Sequence, residues 1–452
     1  MKLKSFIYVN AASDFHKRTR KRVIRLVASM VVALVLVPAH AEEVAPTESP
    51  TTANAAFSPP LPAVARLGRV PDWSQLDPYQ GTITREEFTY LLTHCYARSP
   101  EDSAGLIQIQ ADRALILKQS NFPELGWYDL RFRTEGQLSS EVPRFWRLPT
   151  ELDDLPANST KPLQGLRIAI DPGHIGGKWV TWDDRHFTIG RDTLPVKEGE
   201  MTLMVARILE RDLAILGASV FLTRESNNPT TKERVETLQE EAKAYLTRRG
   251  QIPSSGLIAS TAKQMFAISS EIRSRSEIIN NSIQPDLALC LHFDASPWPS
   301  GHPALRSPNH LHLIINGCYS REEVAEDDTR FEMTLRILQR VYYEELKLSD
   351  VVSKTMQKET RLPAFHYDGK SGMSVNDNDL VWARNLLANR VFFCPVLFFE
   401  PFCMNHSETY VRVQEGAYDG LREINGIYRK NLYQEYADGV TSGLIRYYRQ
   451  QR

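Results

Sequence analysis

Residues 166–174 constrain the fold most, because they combine a buried strand with a chemically active side chain. The stretch begins as an apolar run and stops at Asp-Pro-Gly. An apolar run bounded by turn residues predicts a buried strand. Pro172 must end that strand, since proline has no backbone N–H donor. His174 therefore follows the carboxyl end of a strand, and this edge of an open α/β sheet is where ligands bind.

Two further apolar stretches end at a His or a Glu, and a helix begins at another Glu. Residues 286–291 lead to His292, residues 395–399 lead to Glu400, and Glu198 opens an amphipathic helix. These side chains would converge if the strands belong to one sheet. Two imidazoles and one carboxylate form a catalytic zinc site with an open fourth position, and a further carboxylate can act as a base on the bound water.

With these motifs the sequence resembles the zinc-dependent N-acetylmuramoyl-L-alanine amidases, bacterial cell-wall hydrolases with an Asp-Pro-Gly-His motif. The resemblance covers roughly residues 164–450. It implies that His174, Glu198 and His292 bind Zn²⁺ and that Glu400 is catalytic. The implied reaction is hydrolysis of the amide bond between N-acetylmuramic acid and L-alanine in peptidoglycan.

The sequence departs from the family pattern close to these residues. Ile175 interrupts the glycines that usually follow the first histidine, and Cys290 and Asp294 replace the usual Ser and Asn around the second one. Phe402 and Asn405 each stand one residue earlier than the family pattern has them. Two other functions therefore stay open: a zinc peptidase on a similar scaffold, and a catalytically inactive protein that binds or regulates at the peptidoglycan.

Other polar residues compete for the same roles. The rival metal ligands are His186 and the His-x-His pair of a predicted edge or adjacent strand, residues His310 and His312. The rival bases are Glu200 and Asp294. Asp171 or Asp294 is expected to orient a ligand imidazole. The five cysteines include no C-x-x-C pair, so their spacing predicts no cysteine-based zinc site.

The order of elements predicts an α/β fold, with a mostly parallel twisted sheet flanked by helices in the catalytic domain. We expect this domain at residues 161–452, with insertions near 178–196 and 226–270, and a small α+β domain at 71–160 before it. The insertion at 226–270 is charged and longer than the fold needs. Long insertions are often lids or binding elements, so it is a candidate cover of the cleft and a candidate site for a protein activator; a solvated helical hairpin is the alternative.

The first 41 residues predict export. A basic stretch at 17–22, an apolar run at 26–37 and the sequence Ala39-His-Ala41 match a cleaved signal peptide. Residues 42–70 read as a flexible linker. The predicted location is the periplasm or cell envelope, with no stable membrane span after cleavage. The formal charge of −1 includes eight basic residues and one acidic residue in this leader, so the remainder is acidic and a poor candidate for nucleic-acid binding.

Overall fold

The structure is a computed structural model that describes residues 71–134, 136, 141–156, 158–298, 302–367 and 371–452. The predicted signal peptide and linker, residues 1–70, lie outside the described residues. Among the described helices, none combines the length and the apolarity that a membrane crossing requires.

Strands and helices are interspersed from residue 167 onward, as expected for an α/β fold. The strands are β1 Ile107–Ile109, β2 Arg113–Leu117, β3 Trp127–Arg131, β4 Arg167–Pro172, β5 His186–Phe187, β6 Val196–Lys197, β7 Ser219–Leu222, β8 Leu287–Leu291, β9 Leu311–Ile315, β10 Met373–Ser374, β11 Val381–Ala383, β12 Val396–Pro401, β13 Arg422–Ile424 and β14 Ile427–Arg429. The α-helices are α1 Arg85–Leu91, α2 Pro100–Ser103, α3 Glu198–Ile215, α4 Gln239–Arg248, α5 Ser255–Gln264, α6 Glu271–Glu277, α7 Arg321–Val324, α8 Asp327–Leu338, α9 Val341–Thr360, α10 Leu387–Val391, α11 Ser407–Glu415 and α12 Leu432–Gln451.

A seven-stranded mixed sheet with the order β10-β11-β9-β12-β8-β4-β7 forms the centre of the fold. Strands β12, β8, β4 and β7 are mutually parallel, and β9 joins β12 in the antiparallel direction. The α/β fold class predicted from the sequence is confirmed. The parallel arrangement brings the carboxyl ends of β4, β8 and β12 to one edge of the sheet.

Both faces of this sheet are buried, which explains why its strands are continuously apolar. Along β4, Ile168 and Ile170 face a core that includes α3, α9 and α12, while Ala169 faces the core on the opposite side. Along β8, Leu289 faces the first of these cores and Cys290 faces the second. The side chains alternate because successive residues of a strand point to opposite faces.

The segment before the large sheet forms a three-stranded antiparallel sheet, β1-β2-β3, with α1 beside it. Thr84 caps α1, accepting a hydrogen bond from the Glu87 N–H at 3.1 Å. The apolar residues of this segment share one core with residues of the later chain, including Ile315 and Phe331. The division into domains at residue 160 stays a prediction; contacts place all described residues in one compact unit.

The sequence predicts helical structure over 331–346 and over 407–450, and both stretches differ in the structure. A single helix over 331–346 is wrong, because Arg340 adopts a left-handed conformation with φ +55° and separates α8 from α9. The helical prediction for 407–450 missed the hairpin of β13 and β14. Gly426 lies between these two strands at φ +80°, where glycine has no steric penalty.

Candidate metal centre

The turn after β4 places His174 and His292 against each other. Gly173 donates its N–H to the Leu291 carbonyl at 2.9 Å, which joins the ends of β4 and β8. A Cβ atom on Gly173 would stand only 2.3 Å from Cε1 of His292. Glycine is therefore required by close packing against the second histidine. His174 follows at φ +60°, and its ring lies 4.8 Å from that of His292, centroid to centroid.

Glu198 reaches the same point from the first turn of α3. Its Oε1 lies 3.3 Å from His174 Nε2 and 3.2 Å from His292 Nδ1, and it accepts the Phe293 N–H at 3.1 Å. The next residue, Gly199, allows the helix to approach the His174 turn, because a Cβ there would lie 2.4 Å from the Ile175 carbonyl oxygen. The helix start is thus held against the strand ends by backbone packing.

The three side chains offer ligand atoms that all lie within 4.8 Å of one another. Glu198 is 1% exposed, and its Oε2 has no hydrogen-bond partner among the described residues. A buried carboxylate oxygen without a partner is costly, and a cation would satisfy it. Two imidazoles with one carboxylate also match the donor set of a catalytic zinc ion. The residues present therefore fit the metal that the motifs imply.

His174, Glu198 and His292 are buried side by side, so each shifts the pKa of its neighbours. Burial alone would lower the pKa of His174, but the charges and hydrogen bonds of Glu198 and Asp183 raise it to about 9. Burial likewise works against ionisation of Glu198, yet His174 and His292 hold the pKa of Glu198 well below its usual range. Burial lowers the pKa of His292. The pair of His174 and Glu198 thus favours the charged forms.

Asp183 orients His174, a contact that sequence reasoning missed. Its Oδ2 lies 3.0 Å from His174 Nδ1, which leaves Nε2 directed at Glu198. The expectation that Asp171 or Asp294 orients a ligand imidazole is wrong. Asp171 accepts hydrogen bonds from Thr223 and an arginine, and Asp294 lies 2.7 Å from His310 Nε2. Asp183 stands nine residues after His174 in an irregular loop, so no periodicity indicated it.

Arg275 fixes the backbone beneath His174. Its guanidinium donates to the carbonyls of His174 at 2.6 Å and Pro172 at 2.8 Å, and to Asp171 at 3.2 Å. Arg275 is only 1% exposed and is also paired with Glu271 at 2.9 Å. These contacts satisfy the carbonyl groups that the Asp-Pro-Gly turn removes from the sheet.

Glu400 is the last residue but one of β12, at the same edge, and lies opposite His312 in the β9 register. Burial, followed by the negative charges of Asp294 and Glu198, raises the pKa of Glu400 well above its usual value. Arg185 and Arg384 oppose this rise through their positive charges. Neither arginine was selected from the sequence, because each lies in an irregular segment far from Glu400 along the chain.

The rival residues have other partners. His186 Nδ1 lies 3.0 Å from the Val180 carbonyl, and His312 Nε2 lies 3.1 Å from the Tyr367 hydroxyl. Glu200 accepts hydrogen bonds from the Gly177 N–H at 3.1 Å and the Lys197 ammonium at 2.9 Å. None of these three rivals belongs to the group of ligand atoms formed by His174, Glu198 and His292.

The insertion at 226–270 packs onto the loop that carries Asp183. Phe266 contacts Trp179 and Trp182, with ring centroids 5.7 Å and 5.1 Å away. Ile175, which replaces a glycine of the family pattern, is completely buried in the same apolar cluster. This departure therefore has a structural reason. The predicted roles of the insertion as a cover and as an activator site stay predictions.

Comparison with known proteins gives structural neighbours but no sequence relative. No protein-family model matches the sequence, and no curated protein matches it. The solved structures that resemble this chain include N-acetylmuramoyl-L-alanine amidases. The apo Ami1 of Mycobacterium abscessus is 15% identical, with a TM-score of 0.35, and the match covers 63% of this chain and 99% of that one. The Ami1 of Mycobacterium smegmatis is 14% identical, with a TM-score of 0.37 and coverages of 64% and 99%.

A third neighbour is the CwlD amidase of Clostridioides difficile, solved in complex with the GerS lipoprotein. It is 13% identical with a TM-score of 0.36, and the match covers 63% of this chain and 98% of that one. At these identities and TM-scores, the likeness by itself assigns no activity to this chain.

Proposed function

We propose that this protein is a zinc-dependent N-acetylmuramoyl-L-alanine amidase that acts on peptidoglycan after export to the periplasm or cell envelope. The observation that carries the proposal is the convergence of His174, Glu198 and His292, with a buried oxygen of Glu198 left without a partner. The substrate is the one that the Asp-Pro-Gly-His motif and its accompanying residues imply. The cofactor is Zn²⁺, bound by these three side chains.

The chemistry that a bound zinc ion supplies is Lewis acidity toward the water nucleophile and the amide carbonyl. Glu400 accepts the proton that the water loses as its oxygen bonds to the carbonyl carbon. Glu400 then donates this proton to the amine nitrogen as the carbon–nitrogen bond breaks. One water is consumed, the lactyl side gains a carboxylate, and the stem peptide gains a free L-alanine amine.

The environment of Glu400 suits a group that accepts and returns a proton. Burial and the charges of Asp294 and Glu198 raise its pKa, which makes the carboxylate a stronger base than one in water. The positive charges of Arg185 and Arg384 favour the ionised form that must accept the proton. The balance between these opposed effects sets the pH at which the base is available.

The departures from the family pattern are accommodated by packing, which argues against an inactive protein. Cys290 lies in the core on the face of β8 opposite to α3. Asn405 binds both backbone groups of Ser296, accepting its N–H at 2.9 Å and donating to its carbonyl at 2.7 Å. None of the departing residues removes a side chain from the His174–Glu198–His292 group.

The test is digestion of purified peptidoglycan by the zinc-loaded protein, with mass spectrometry of the products. We expect stem peptides that begin with a free L-alanine amine, together with intact glycan strands. Cleavage between stem residues would instead identify the zinc peptidase, and wall binding without products would identify the inactive protein.

The ligand set is tested with His174→Ala, Glu198→Ala and His292→Ala, each of which should lose activity and the zinc at this site. His366→Ala is the matched control, since His366 is an exposed histidine outside the cluster. Full zinc affinity in any two of the three variants would refute the assigned site.

A further inference from the structure

A second group of metal-ligating side chains lies beside the first. It consists of Asp294, His310 and Cys403, whose ligand atoms lie within 4.8 Å of one another. His310 Nε2 stands 2.7 Å from Asp294 Oδ2 and 3.5 Å from Cys403 Sγ. Each residue comes from a different element: Asp294 follows β8, His310 precedes β9 and Cys403 follows β12.

Backbone hydrogen bonds fix the three residues in place. Asp294 donates its N–H to the Phe402 carbonyl at 3.2 Å and accepts the Met404 N–H at 2.7 Å. The Phe402 N–H donates to the His310 carbonyl at 2.9 Å, and the Cys403 N–H donates to the Asn309 side chain at 2.9 Å. The backbone positions of the three residues are therefore fixed at the sheet edge.

The donor types and the distance between His310 and Cys403 suit a zinc-like cation. Zinc bonds of about 2.0 Å to nitrogen and about 2.3 Å to sulfur, at a tetrahedral angle, separate the two donors by roughly 3.5 Å, which matches His310 and Cys403. Cys403 and His310 are buried, whereas the Asp294 side chain is 27% exposed and leaves a path for an ion and a water ligand.

We propose that Asp294, His310 and Cys403 form a second binding site for a zinc-like divalent cation, distinct from the His174–Glu198–His292 site. The Cys403 thiol loses its proton to solvent when the ion binds, and the thiolate, the imidazole and the carboxylate supply three ligands. The sequence pattern indicated His310 as a rival metal ligand and Asp294 as a rival base, but it did not indicate Cys403, which has no nearby partner along the chain. The proposal does not depend on the amidase activity.

The test uses Co²⁺ as the probe, because Co²⁺ bound to a thiolate has an intense near-ultraviolet charge-transfer band that nitrogen and oxygen ligands do not give. The full-length protein is stripped with a chelator and titrated with Co²⁺. We expect the band in the wild type and in the double variant His174→Ala/His292→Ala, which lacks the first site. Cys403→Ser should abolish the band, and bound zinc should fall by one ion per chain.

Cys394→Ala is the matched control, since Cys394 is also a buried free cysteine but lies outside the group. It should keep the band. Circular dichroism reports whether each variant folds. A folded wild type that shows no band on saturation with Co²⁺ overturns the proposal, whatever the variants do, and so does a band that survives Cys403→Ser.

Discussion

Asp183 is expected to control zinc affinity although it is not a ligand. Its carboxylate lies 3.0 Å from His174 Nδ1, and the Asp183 side chain is almost completely buried. A carboxylate in this position fixes the ring orientation and makes the other nitrogen a stronger ligand. Removing such a group typically weakens metal binding by about 10–100-fold, which is roughly 1.4–2.7 kcal/mol.

Two variants of Asp183 should lose different amounts of zinc affinity within this range. Asp183→Asn keeps an oxygen that accepts the Nδ1–H bond and removes only the charge, so we expect about 10-fold weaker zinc binding. Asp183→Ala leaves Nδ1–H buried without a partner, which costs roughly 1–3 kcal/mol, and frees the ring to rotate. We expect this variant to bind zinc about 100-fold more weakly than the wild type.

The assay is competition for zinc against a chromophoric chelator, with circular dichroism to verify folding. Asp184→Asn is the control, because Asp184 is adjacent but exposed, and asparagine tolerates its left-handed φ of +58°. A zinc affinity in Asp183→Ala equal to that of the wild type would refute this reasoning. An equal loss in Asp184→Asn would show that the loop conformation, and not the carboxylate, is responsible.

Three further predictions concern the base and the insertion. Glu400→Gln should keep zinc and wall binding but lower turnover by about 10²–10⁴; near-normal turnover would move the role to Glu200 or Asp294, and loss of zinc would make Glu400 a ligand. Because the pKa of Glu400 is raised, acidification protonates the base, so kcat/KM should fall as pH drops through that raised pKa; a rate that is flat with pH would contradict this. Phe266→Ala should weaken zinc binding, because Phe266 packs onto the loop that carries Asp183. Ile252→Ala is the control, since Ile252 is 90% exposed, and it should bind zinc normally. If Phe266→Ala binds zinc as tightly as the wild type, the insertion acts away from the metal.

The sequence predicted the sheet because its central strands are apolar on both faces and end at recognisable turns. The same property placed His174, His292 and Glu400 at one edge, since the strands that precede them are parallel neighbours. Glu198 could be added because the helix that connects β4 to its parallel neighbour β7 begins near the carboxyl end of β4. A metal-binding residue can thus be predicted from a sequence when it stands at a recognisable strand end or helix start.

The residues that support the site were not predictable in the same way. Asp183, Arg185 and Arg384 lie in irregular segments whose path depends on tertiary packing, and no period or fixed spacing connects them to the strands. The break at Arg340 was missed for a related reason, because a non-glycine residue in the left-handed region carries no local signal. The contribution of residues 71–132 to a core shared with the later chain likewise depends on long-range contacts.

The offset of the residues after Glu400 illustrates how tertiary structure can fix a position that spacing leaves open. Glu400 pairs with His312 in the β12–β9 register, and β12 also pairs with β8 up to Leu291. The chain turns sharply at Phe402, with φ +58°, and Asn405 returns to bind Ser296 beyond the end of β8. The backbone position of Glu400 is therefore set by the β12–β9 register and by the pairing of β12 with β8 up to Phe399, before the chain turns at Phe402.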